Sequence, residues 1–498
     1  MKHSTTWGTT ATVMIIALAA CGGDGSGDSS AGYDYEPNPP APPENQTFQD
    51  YGANEQIPAA EQNQSTFALD VDTGSYAITR ASLTDGLLPD PASVRTEEFV
   101  NYFTQDYPAP ASGIGIHVDG TSVPFLNDPA KHVIRVGLQG AAVEEVRRRP
   151  VNLTIVADVS GSMAGEKLDM VKTGLGRLVD SLRLDDRMAI VTYSTDARLL
   201  MPMTPLRESM TIHAAIDGLA PQQQTNLEAG LRIGYDHARA NLTEQALNRV
   251  VLLSDGVANV GETDPDRLAG QIAQEAGDTT QLVVVGVGRD TYNDVILEQF
   301  ADQGNGFYAF LDSPAEAERL FVDDLTATLQ AVALDAKVQI TFNPEVVSHY
   351  RLLGYENRQL EADDLRDDTV DGGEIGAGHT VTALYEVTLT EGAELRADTS
   401  LATVEVRYDD PGTGRPDERS AIVTTASIAS SFDVAPARLR QDVLVAAFAE
   451  VLRGAPWADK LSIAQIAENV AALSVTMPSD TDVAELAGLT RTAAGLTG

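Results

Sequence analysis

Cysteine, basic residues and long apolar runs are all scarce in this chain of 498 residues. Its single cysteine cannot form an intramolecular disulfide. Lys and Arg together number 34 against 73 Asp and Glu, which gives a formal net charge of −39. That balance argues against nucleic-acid binding, because contact with phosphates requires clustered basic side chains. The hydrophobic fraction of 43% still allows sizeable cores, and the length indicates roughly two to four domains.

The first residues have the pattern of a secretory signal. A basic start at Lys2 precedes the mostly small and apolar stretch Ala11–Ala20, which is too short to span a bilayer as a stable helix. Leu18-Ala-Ala-Cys21 resembles the bacterial lipobox, in which cleavage precedes the cysteine and the cysteine becomes lipidated. We therefore expect residues 1–20 to be a lipoprotein signal peptide and Cys21 to be the lipidation site. The alternative is a plain signal peptide with an incidental cysteine.

Residues 21–65 are rich in Pro, Gly and Ser, with a proline cluster at Pro37–Pro43. This composition cannot form a core and predicts a disordered tether that holds the folded part away from a membrane. The expected location is therefore the bacterial cell envelope, with the exported chain anchored by lipid. Gly22 after the cysteine favours the outer membrane.

Between residues 149 and 332, apolar runs alternate with helical patterns. Uninterrupted apolar strands of this kind indicate a mostly parallel sheet covered by helices on both faces, which is an α/β fold of the doubly wound class. The predicted strands are Leu153–Ala157, Met188–Tyr193, Ala197–Met201, Val250–Leu253, Leu282–Val287 and Phe307–Leu311. The predicted helices include Leu168–Leu182, Leu227–Ala240 and Pro314–Leu329. Ligands of such folds bind beyond the carboxyl ends of the strands.

The flanks of this segment have a different character. Residues 66–148 are a small mixed region, residues 333–435 predict an antiparallel β region, and residues 436–498 predict helices. Neither flank has enough strands to cover a sheet face by itself. We therefore expect strands near 114–138 and 337–425 to pack into one antiparallel unit, with the α/β domain inserted between them.

Three loops at predicted strand ends or helix starts carry small oxygen ligands. Asp158-Val-Ser160-Gly-Ser162 follows the first α/β strand, Thr225 precedes a helical pattern, and Asp255 follows the strand Val250–Leu253. Carboxylate and hydroxyl oxygens together suit Mg²⁺ or Mn²⁺. The alternative for the first loop is an ordinary helix N-cap, since Ser and Asp cap helices well.

This constellation resembles the metal-ion-dependent adhesion site (MIDAS) of von Willebrand factor type A (VWA) domains, which have a Rossmann-like sheet. The family pattern of Asp-x-Ser-x-Ser, a loop Thr and a loop Asp falls on Asp158, Ser160, Ser162, Thr225 and Asp255. The resemblance implies that the hydroxyls hold the metal directly and the aspartates hold it directly or through water. It also implies one open coordination position for an Asp or Glu of a protein partner.

Over residues 66–498 the chain also resembles bacterial YfbK-like VWA lipoproteins. The segments that carry this resemblance are Phe67–Thr73, Arg95–Phe103, Asn343–Pro344, Leu353–Arg358 and Gly373–His379. The resemblance implies an architecture and little chemistry.

Enzymatic alternatives have weak support in the sequence. Asp72-Thr-Gly-Ser75 spells the aspartic-protease motif, but that chemistry needs two carboxylates, so catalysis would require a symmetric dimer. Capping of the following helix explains the motif more simply. A serine hydrolase built on Ser160 would need a nearby histidine base, and the sequence places neither His213 nor His237 there.

Two functional hypotheses follow, and neither involves an enzyme. In the first, a membrane-tethered binding protein uses its metal to engage an acidic group of a protein partner, in adhesion or envelope assembly. In the second, the metal is purely structural and the flanking regions make the protein a scaffold subunit. An aspartic protease acting through Asp72 is a minor alternative.

Overall fold

The computed structural model describes residues 48–69, 72–123, 130–143, 148–243, 245–256, 260–276, 280–288, 294–324, 330–393, 395–456, 458 and 461–497. The predicted signal peptide 1–20, the predicted lipidation site Cys21 and the start of the predicted tether lie outside these residues. Among the described helices, none has both the length and the apolar character needed to cross a membrane.

The strands of the described residues are numbered in chain order. They are β1 (Ile57–Pro58), β2 (Gln64–Ala68), β3 (Ile114–Ser122), β4 (Lys131–Gly140), β5 (Val151–Asp158), β6 (Arg187–Tyr193), β7 (Ala197–Pro205), β8 (Leu247–Ser254), β9 (Gln281–Val287), β10 (Tyr308–Leu311), β11 (Ala331–Phe342), β12 (Val347–Leu353), β13 (Gln359–Leu360), β14 (Gly373–Gly376), β15 (Thr380–Leu389), β16 (Ser400–Asp410), β17 (Arg415–Thr424) and β18 (Ile428–Ala429).

The α-helices of the described residues are numbered in the same way. They are α1 (Gly74–Thr84), α2 (Thr96–Tyr102), α3 (Glu166–Ser181), α4 (Ser209–Asp217), α5 (Leu227–Ala240), α6 (Pro265–Ala276), α7 (Asp294–Gln303), α8 (Pro314–Glu318), α9 (Ala437–Leu452), α10 (Ile463–Thr476) and α11 (Thr481–Thr497). The helix predicted over Pro314–Leu329 is α-helical only as far as Glu318 and continues as a π-helix over Arg319–Asp324.

The middle of the chain forms the predicted α/β domain. Its strand order is β10-β9-β8-β5-β6-β7, and all pairings are parallel except the one between β6 and β7. One apolar face packs against α3, α4 and α8, while the other packs against α1, α5, α6 and α7. The predicted fold class is therefore confirmed, because fully apolar strands need a helical layer on each side of the sheet.

The two flanks of the α/β domain share sheets, as the sequence predicted. One sheet has the order β1-β12-β15-β4-β3-β18, and β4 and β15 pair antiparallel from Lys131–Thr388 to Gln139–Thr380. The other has the order β13-β2-β11-β16-β17, with β14 also paired to β11. Apolar residues of both sheets form one core. Strands from before and after the α/β domain thus complete each other, and the domain is an insertion between them.

The predicted tether, residues 21–65, contains ordered structure at its carboxyl end. Within residues 48–65, Ile57 pairs with Tyr350 and Ser65 with Ile340, and the Asn54 side-chain amide donates to the carbonyl oxygens of Leu352 (3.0 Å) and Gly354 (2.8 Å). The boundary at residue 65 was therefore wrong. A polar segment that is too short to form a core can still be ordered by pairing with an existing sheet edge.

The carboxyl-terminal helices cover the amino-terminal ones. Residues of α9, α10 and α11 share an apolar cluster with α1 and α2, in which Phe99 meets Phe448 at a ring-centroid distance of 6.4 Å. Arg80 of α1 joins this layer to the α/β domain. Its guanidinium is buried and pairs with Asp312 (2.9 Å) and Glu316 (2.8 Å). Because a lone buried charge is costly, this network fixes how the parts pack.

Candidate metal centre

The predicted site begins at the end of the central strand β5. Every residue of Val151–Asp158 is buried, and β5 pairs in parallel with β6 on one side and β8 on the other. The chain leaves β5 towards β6 and later returns on the opposite side at β8. The carboxyl end of β5 is therefore a topological switch point, where a crevice opens in sheets of this kind. Asp158 lies there and is completely buried.

The loop after β5 turns two hydroxyls towards each other. The Ser160 backbone N–H donates to Asp158 Oδ1 at 2.7 Å, and the Ser160 and Ser162 hydroxyl oxygens are 3.0 Å apart. Ser160 precedes a 3-10 turn at Gly161–Met163 but makes no side-chain cap there, and α3 is preceded by Gly165. The helix-cap alternative for this loop therefore gains no support from the structure.

The loop before α5 is held against the loop after β5. The Gln222 N–H donates to the Val159 carbonyl oxygen at 2.6 Å, and the Gly161 N–H donates to the Gln223 carbonyl oxygen at 3.3 Å. These bonds place buried Thr225 beside the first loop. Its carbonyl oxygen accepts from the Val260 N–H at 3.1 Å, which links it to the chain that follows β8.

The loop after β8 contributes a second buried carboxylate. Asp255 Oδ2 accepts from Lys167 Nζ at 3.2 Å, whereas Asp255 Oδ1 is buried and accepts no hydrogen bond from the described residues. The neighbouring Ser254 hydroxyl lies 3.5 Å from Asp158 Oδ2. The three loops that carry Asp158, Ser160, Ser162, Thr225 and Asp255 thus meet at one point.

The charge of this point favours a cation. Burial, and then the negative charge of Asp255, raise the pKa of Asp158 to about 7. Two buried carboxylates and a single ammonium group leave an excess of negative charge that would attract a divalent ion. The buried Asp255 Oδ1 has an unused lone pair to offer, and Ser162 is exposed, so the centre is open to solvent. The residues present therefore fit a hard divalent cation.

The donor set depends on hydroxyl groups. Within the described ranges, no group of three or more His, Cys, Asp or Glu side chains is placed to hold a metal ion. Two carboxylates alone would provide few metal ligands. With the Ser and Thr hydroxyls, the protein oxygens and a few waters together can fill the octahedral shell that Mg²⁺ or Mn²⁺ prefers. Such a centre would polarise and orient an anionic ligand.

Asp72 has a structural role. Its buried Oδ1 accepts from the Tyr308 backbone N–H at 2.9 Å, at the start of the edge strand β10, and its Oδ2 lies 4.0 Å from Arg358 Nη2. The same guanidinium pairs with Asp302 at 2.8 Å. A cation therefore separates these two carboxylates, whereas an aspartic protease needs two that share a proton. The geometry argues against protease chemistry within one chain.

Neither candidate histidine base approaches Ser160. His237 Nε2 accepts from the Met203 backbone N–H at 3.1 Å, and His213 Nε2 pairs with Asp180 at the surface at 3.0 Å. A serine hydrolase centred on Ser160 is therefore unsupported.

Lys167 is the residue of this centre that sequence reasoning missed. It is buried in the first turn of α3 and contacts Asp255. The available signal was a lysine at the amino end of a helix, a position where the helix dipole disfavours a cation.

Comparison with known families identifies three segments of the chain. The sequence model of the von Willebrand factor type A domain matches residues 152–323. A second model, described as von Willebrand factor, matches residues 42–134, and the model of the YfbK carboxyl-terminal domain matches residues 327–496. Residues 152–323 of the chain are therefore a VWA domain.

Relatives of this VWA-domain protein differ in how much of it they share. The uncharacterized protein YfbK of Escherichia coli K12 is 37% identical over 350 residues, which cover 69% of this chain and 61% of YfbK. Human inter-alpha-trypsin inhibitor heavy chain H3 is 30% identical over 181 residues, or 34% of this chain and 20% of that protein. The chain thus spans less than two thirds of either relative.

Among solved structures, a von Willebrand factor type A protein from Catenulispora acidiphila aligns with a TM-score of 0.42 at 15% identity, over 76% of this chain and 90% of that one. VWA domains commonly bind a divalent metal at a MIDAS and generally bind protein partners.

Proposed function

We propose that this VWA-domain protein is a membrane-tethered extracytoplasmic binding protein. Its centre would hold Mg²⁺ or Mn²⁺ through Asp158, Ser160, Ser162, Thr225 and Asp255. The metal would engage an Asp or Glu carboxylate of a protein partner, without turnover of a substrate. Adhesion or envelope assembly would be the outcome.

The observation that carries this proposal is the buried Asp255 Oδ1, which accepts no hydrogen bond from the described residues and lies where three loops meet. A carboxylate oxygen that is shielded from water and makes no hydrogen bond is costly unless a ligand completes it. Asp255 follows Ser254, whose hydroxyl donates to Asp158 Oδ2 at 3.5 Å, so the two carboxylates belong to adjoining loops. A cation placed between the two carboxylates would satisfy both.

The access route favours a binding centre over a purely structural one. Ser160 and Thr225 are buried, but Ser162 and residues 222–224 are exposed around them. A metal held at this point would keep a face towards solvent, and a hard divalent cation with an exchangeable water favours an anionic oxygen. The chain carries a formal net charge of −39, so an acidic partner would be repelled except where the cation compensates.

The test is metal-dependent capture of envelope proteins by the immobilised full chain. We expect a partner that is released by chelator, rebinds when Mg²⁺ or Mn²⁺ is restored, and is not captured by Asp158→Ala or Thr225→Ala. Matched controls are Asp169→Ala and Thr173→Ala, which alter the same residue types at exposed positions of α3. These controls should capture the partner as the wild type does.

Other outcomes would support the rival functions. A partner retained at full strength in chelator by Asp158→Ala and Thr225→Ala would indicate a scaffold subunit with a structural metal or none. Proteolysis of a partner that disappears with Asp72→Asn would instead restore the protease hypothesis.

Attachment to the envelope rests on Cys21 and the residues around it. A lipid on this cysteine, followed by the Pro-rich segment, would place the metal centre outside the membrane surface. Stable anchoring requires more than one acyl chain, which a lipidated amino-terminal cysteine of this type supplies.

A further inference from the structure

Lys167 occupies a position that is unfavourable for a lysine. It is the second residue of α3 and is buried, whereas the rest of the first turn contains the acidic residues Glu166 and Asp169. A helix amino end repels cations, and burial of an ammonium group carries a desolvation cost. The position therefore needs a compensating contact, and Asp255 Oδ2 at 3.2 Å provides it.

The stem of Lys167 is also confined by the loop after β9. Gly288 has a φ of +109°, and a Cβ at this glycine would lie only 2.3 Å from Lys167 Cε. The absence of a side chain at Gly288 thus leaves the channel through which the lysine reaches Asp255. Contacts on the stem and on the ammonium group together hold the cation beside the carboxylate.

The contact divides the two oxygens of Asp255 between two cations. Oδ2 faces the ammonium group, and Oδ1 is the buried oxygen that accepts no hydrogen bond from the described residues. A metal ion and Lys167 can therefore contact the same carboxylate at the same time. They would repel each other there, because both are positive.

We infer that Lys167 supplies a fixed positive charge to the metal centre. This charge weakens the affinity of the centre for the metal cation and strengthens the affinity of the metal-loaded centre for an anionic ligand. This inference rests on the proposed function. Two ionised carboxylates and one ammonium group carry one negative charge in excess, so a divalent ion leaves the loaded centre with one positive charge in excess. Without the ammonium group the loaded centre would be neutral, and the attraction for a carboxylate would be smaller.

The test is Lys167→Met in the full chain, because methionine keeps an apolar stem in the same channel. Mn²⁺ is the metal probe and acetate is the carboxylate probe. Water-proton relaxation measures Mn²⁺ binding, and it also reports the loss of exchangeable metal-bound water when acetate binds. We expect the Kd for Mn²⁺ to fall at least tenfold, because the repulsion between one positive charge and a nearby divalent ion exceeds about 1.4 kcal/mol even at an effective dielectric constant of about 20.

The affinity for acetate should change in the opposite direction to the affinity for Mn²⁺. The Mn²⁺-loaded Lys167→Met protein should bind acetate several-fold more weakly than the loaded wild type. Lys167→Arg keeps the charge and should behave as the wild type in both titrations. Lys172→Met removes a lysine from the same helix away from the centre and should also change neither value.

Opposite changes in the two affinities separate a fixed positive charge from a merely structural residue, whose loss would weaken both. Unchanged Mn²⁺ affinity in Lys167→Met, or a parallel loss of both affinities, would overturn the inference and leave the metal centre standing. Wild-type protein that binds no Mn²⁺, or binds it equally after Asp158→Ala, would overturn the proposed function together with the inference.

Discussion

Asp158 allows a stability test of the metal centre, because its carboxylate should destabilise the metal-free protein. Asp158→Asn keeps an oxygen that can accept from the Ser160 N–H, now at 2.7 Å, and places an amide near the Ser254 hydroxyl at 3.5 Å. Burial and Asp255 raise the pKa of Asp158 from 3.8 to about 7. At about 1.4 kcal/mol for each pKa unit, ionisation of this group costs the folded state about 4 kcal/mol.

The sign of the pH dependence follows from the raised pKa. A carboxyl group whose pKa is higher in the folded protein contributes stability below about pH 4 that is lost as the pH rises through about 7. In chelator, the free energies of unfolding of Asp158→Asn and wild type should therefore be similar near pH 4. At pH 8 the variant should be more stable by up to about 4 kcal/mol.

Bound Mg²⁺ should remove this difference in the free energy of unfolding between Asp158→Asn and the wild type. Mass action adds about 2.7 kcal/mol to the wild type at a Mg²⁺ concentration 100 times Kd and about 4.1 kcal/mol at 1,000 times Kd. The variant lacks a charged ligand and should gain little. Urea unfolding followed by circular dichroism, from pH 4 to pH 8 with EDTA or Mg²⁺, gives both comparisons. Hydrogen exchange of β5 and β8 then assigns the effect to the centre.

Two results would refute this reasoning. Equal stability of the two proteins in EDTA at pH 8 would mean that the surroundings of Asp158 do not disfavour its ionised form. An equal gain with Mg²⁺ would place the metal elsewhere. Asp169→Asn, at an exposed position on α3, serves as the control and should stay within about 1 kcal/mol of the wild type with EDTA and with Mg²⁺.

Three further predictions concern other parts of the chain. Arg80→Met removes the guanidinium that pairs with Asp312 and Glu316 and should lower the free energy of unfolding by about 3–5 kcal/mol. Arg239→Met, at an exposed ion pair, should lower it by less than about 1 kcal/mol. Chemical denaturation measures both values. Asp72→Ala leaves the Tyr308 N–H without its acceptor and should lower the free energy of unfolding by about 1–3 kcal/mol in the same assay. A proteolytic activity of the wild type that this variant lacks would contradict the structural role of Asp72. Mass spectrometry of the mature amino terminus should show an acylated Cys21, and Cys21→Ser should release the protein from membranes; a free thiol inside a longer mature chain would contradict this.

The α/β domain was predictable because its signals are local. A strand covered on both faces must be apolar throughout, and the runs at Leu153–Ala157, Val250–Leu253 and Leu282–Val287 all lie within observed strands. The candidate ligands Asp158 and Asp255 follow such runs, so their meeting follows from the parallel order of the strands. The pairing of the flanks could also be inferred, since too few strands stood on either side to cover a sheet face.

Contacts between distant segments were not predictable in the same way. β1 contains two residues that pair with Tyr350 and His349, which lie far along the chain, and the polar sequence around β1 predicts a tether instead. β14 contains glycines at both ends and is specified by its pairing with β11. Lys167 was missed because its role depends on Asp255, which approaches it only in the folded sheet.

The insertion of the α/β domain decides which end of its sheet is available to a partner. Gln281, the first residue of β9, hydrogen-bonds to Glu374 of β14, and these two residues line one cleft together with Arg249, near the start of β8. The amino ends of these central strands therefore face the flanking sheets. β8 has eight residues and β9 has seven, and a strand rises about 3.3 Å per residue. The loop that carries Asp255 therefore lies a full strand length away, at the opposite end of β8. A partner that contacts Ser162 and residues 222–224 would thus meet the carboxyl end of the sheet, and the flanking sheets would hold the domain from behind.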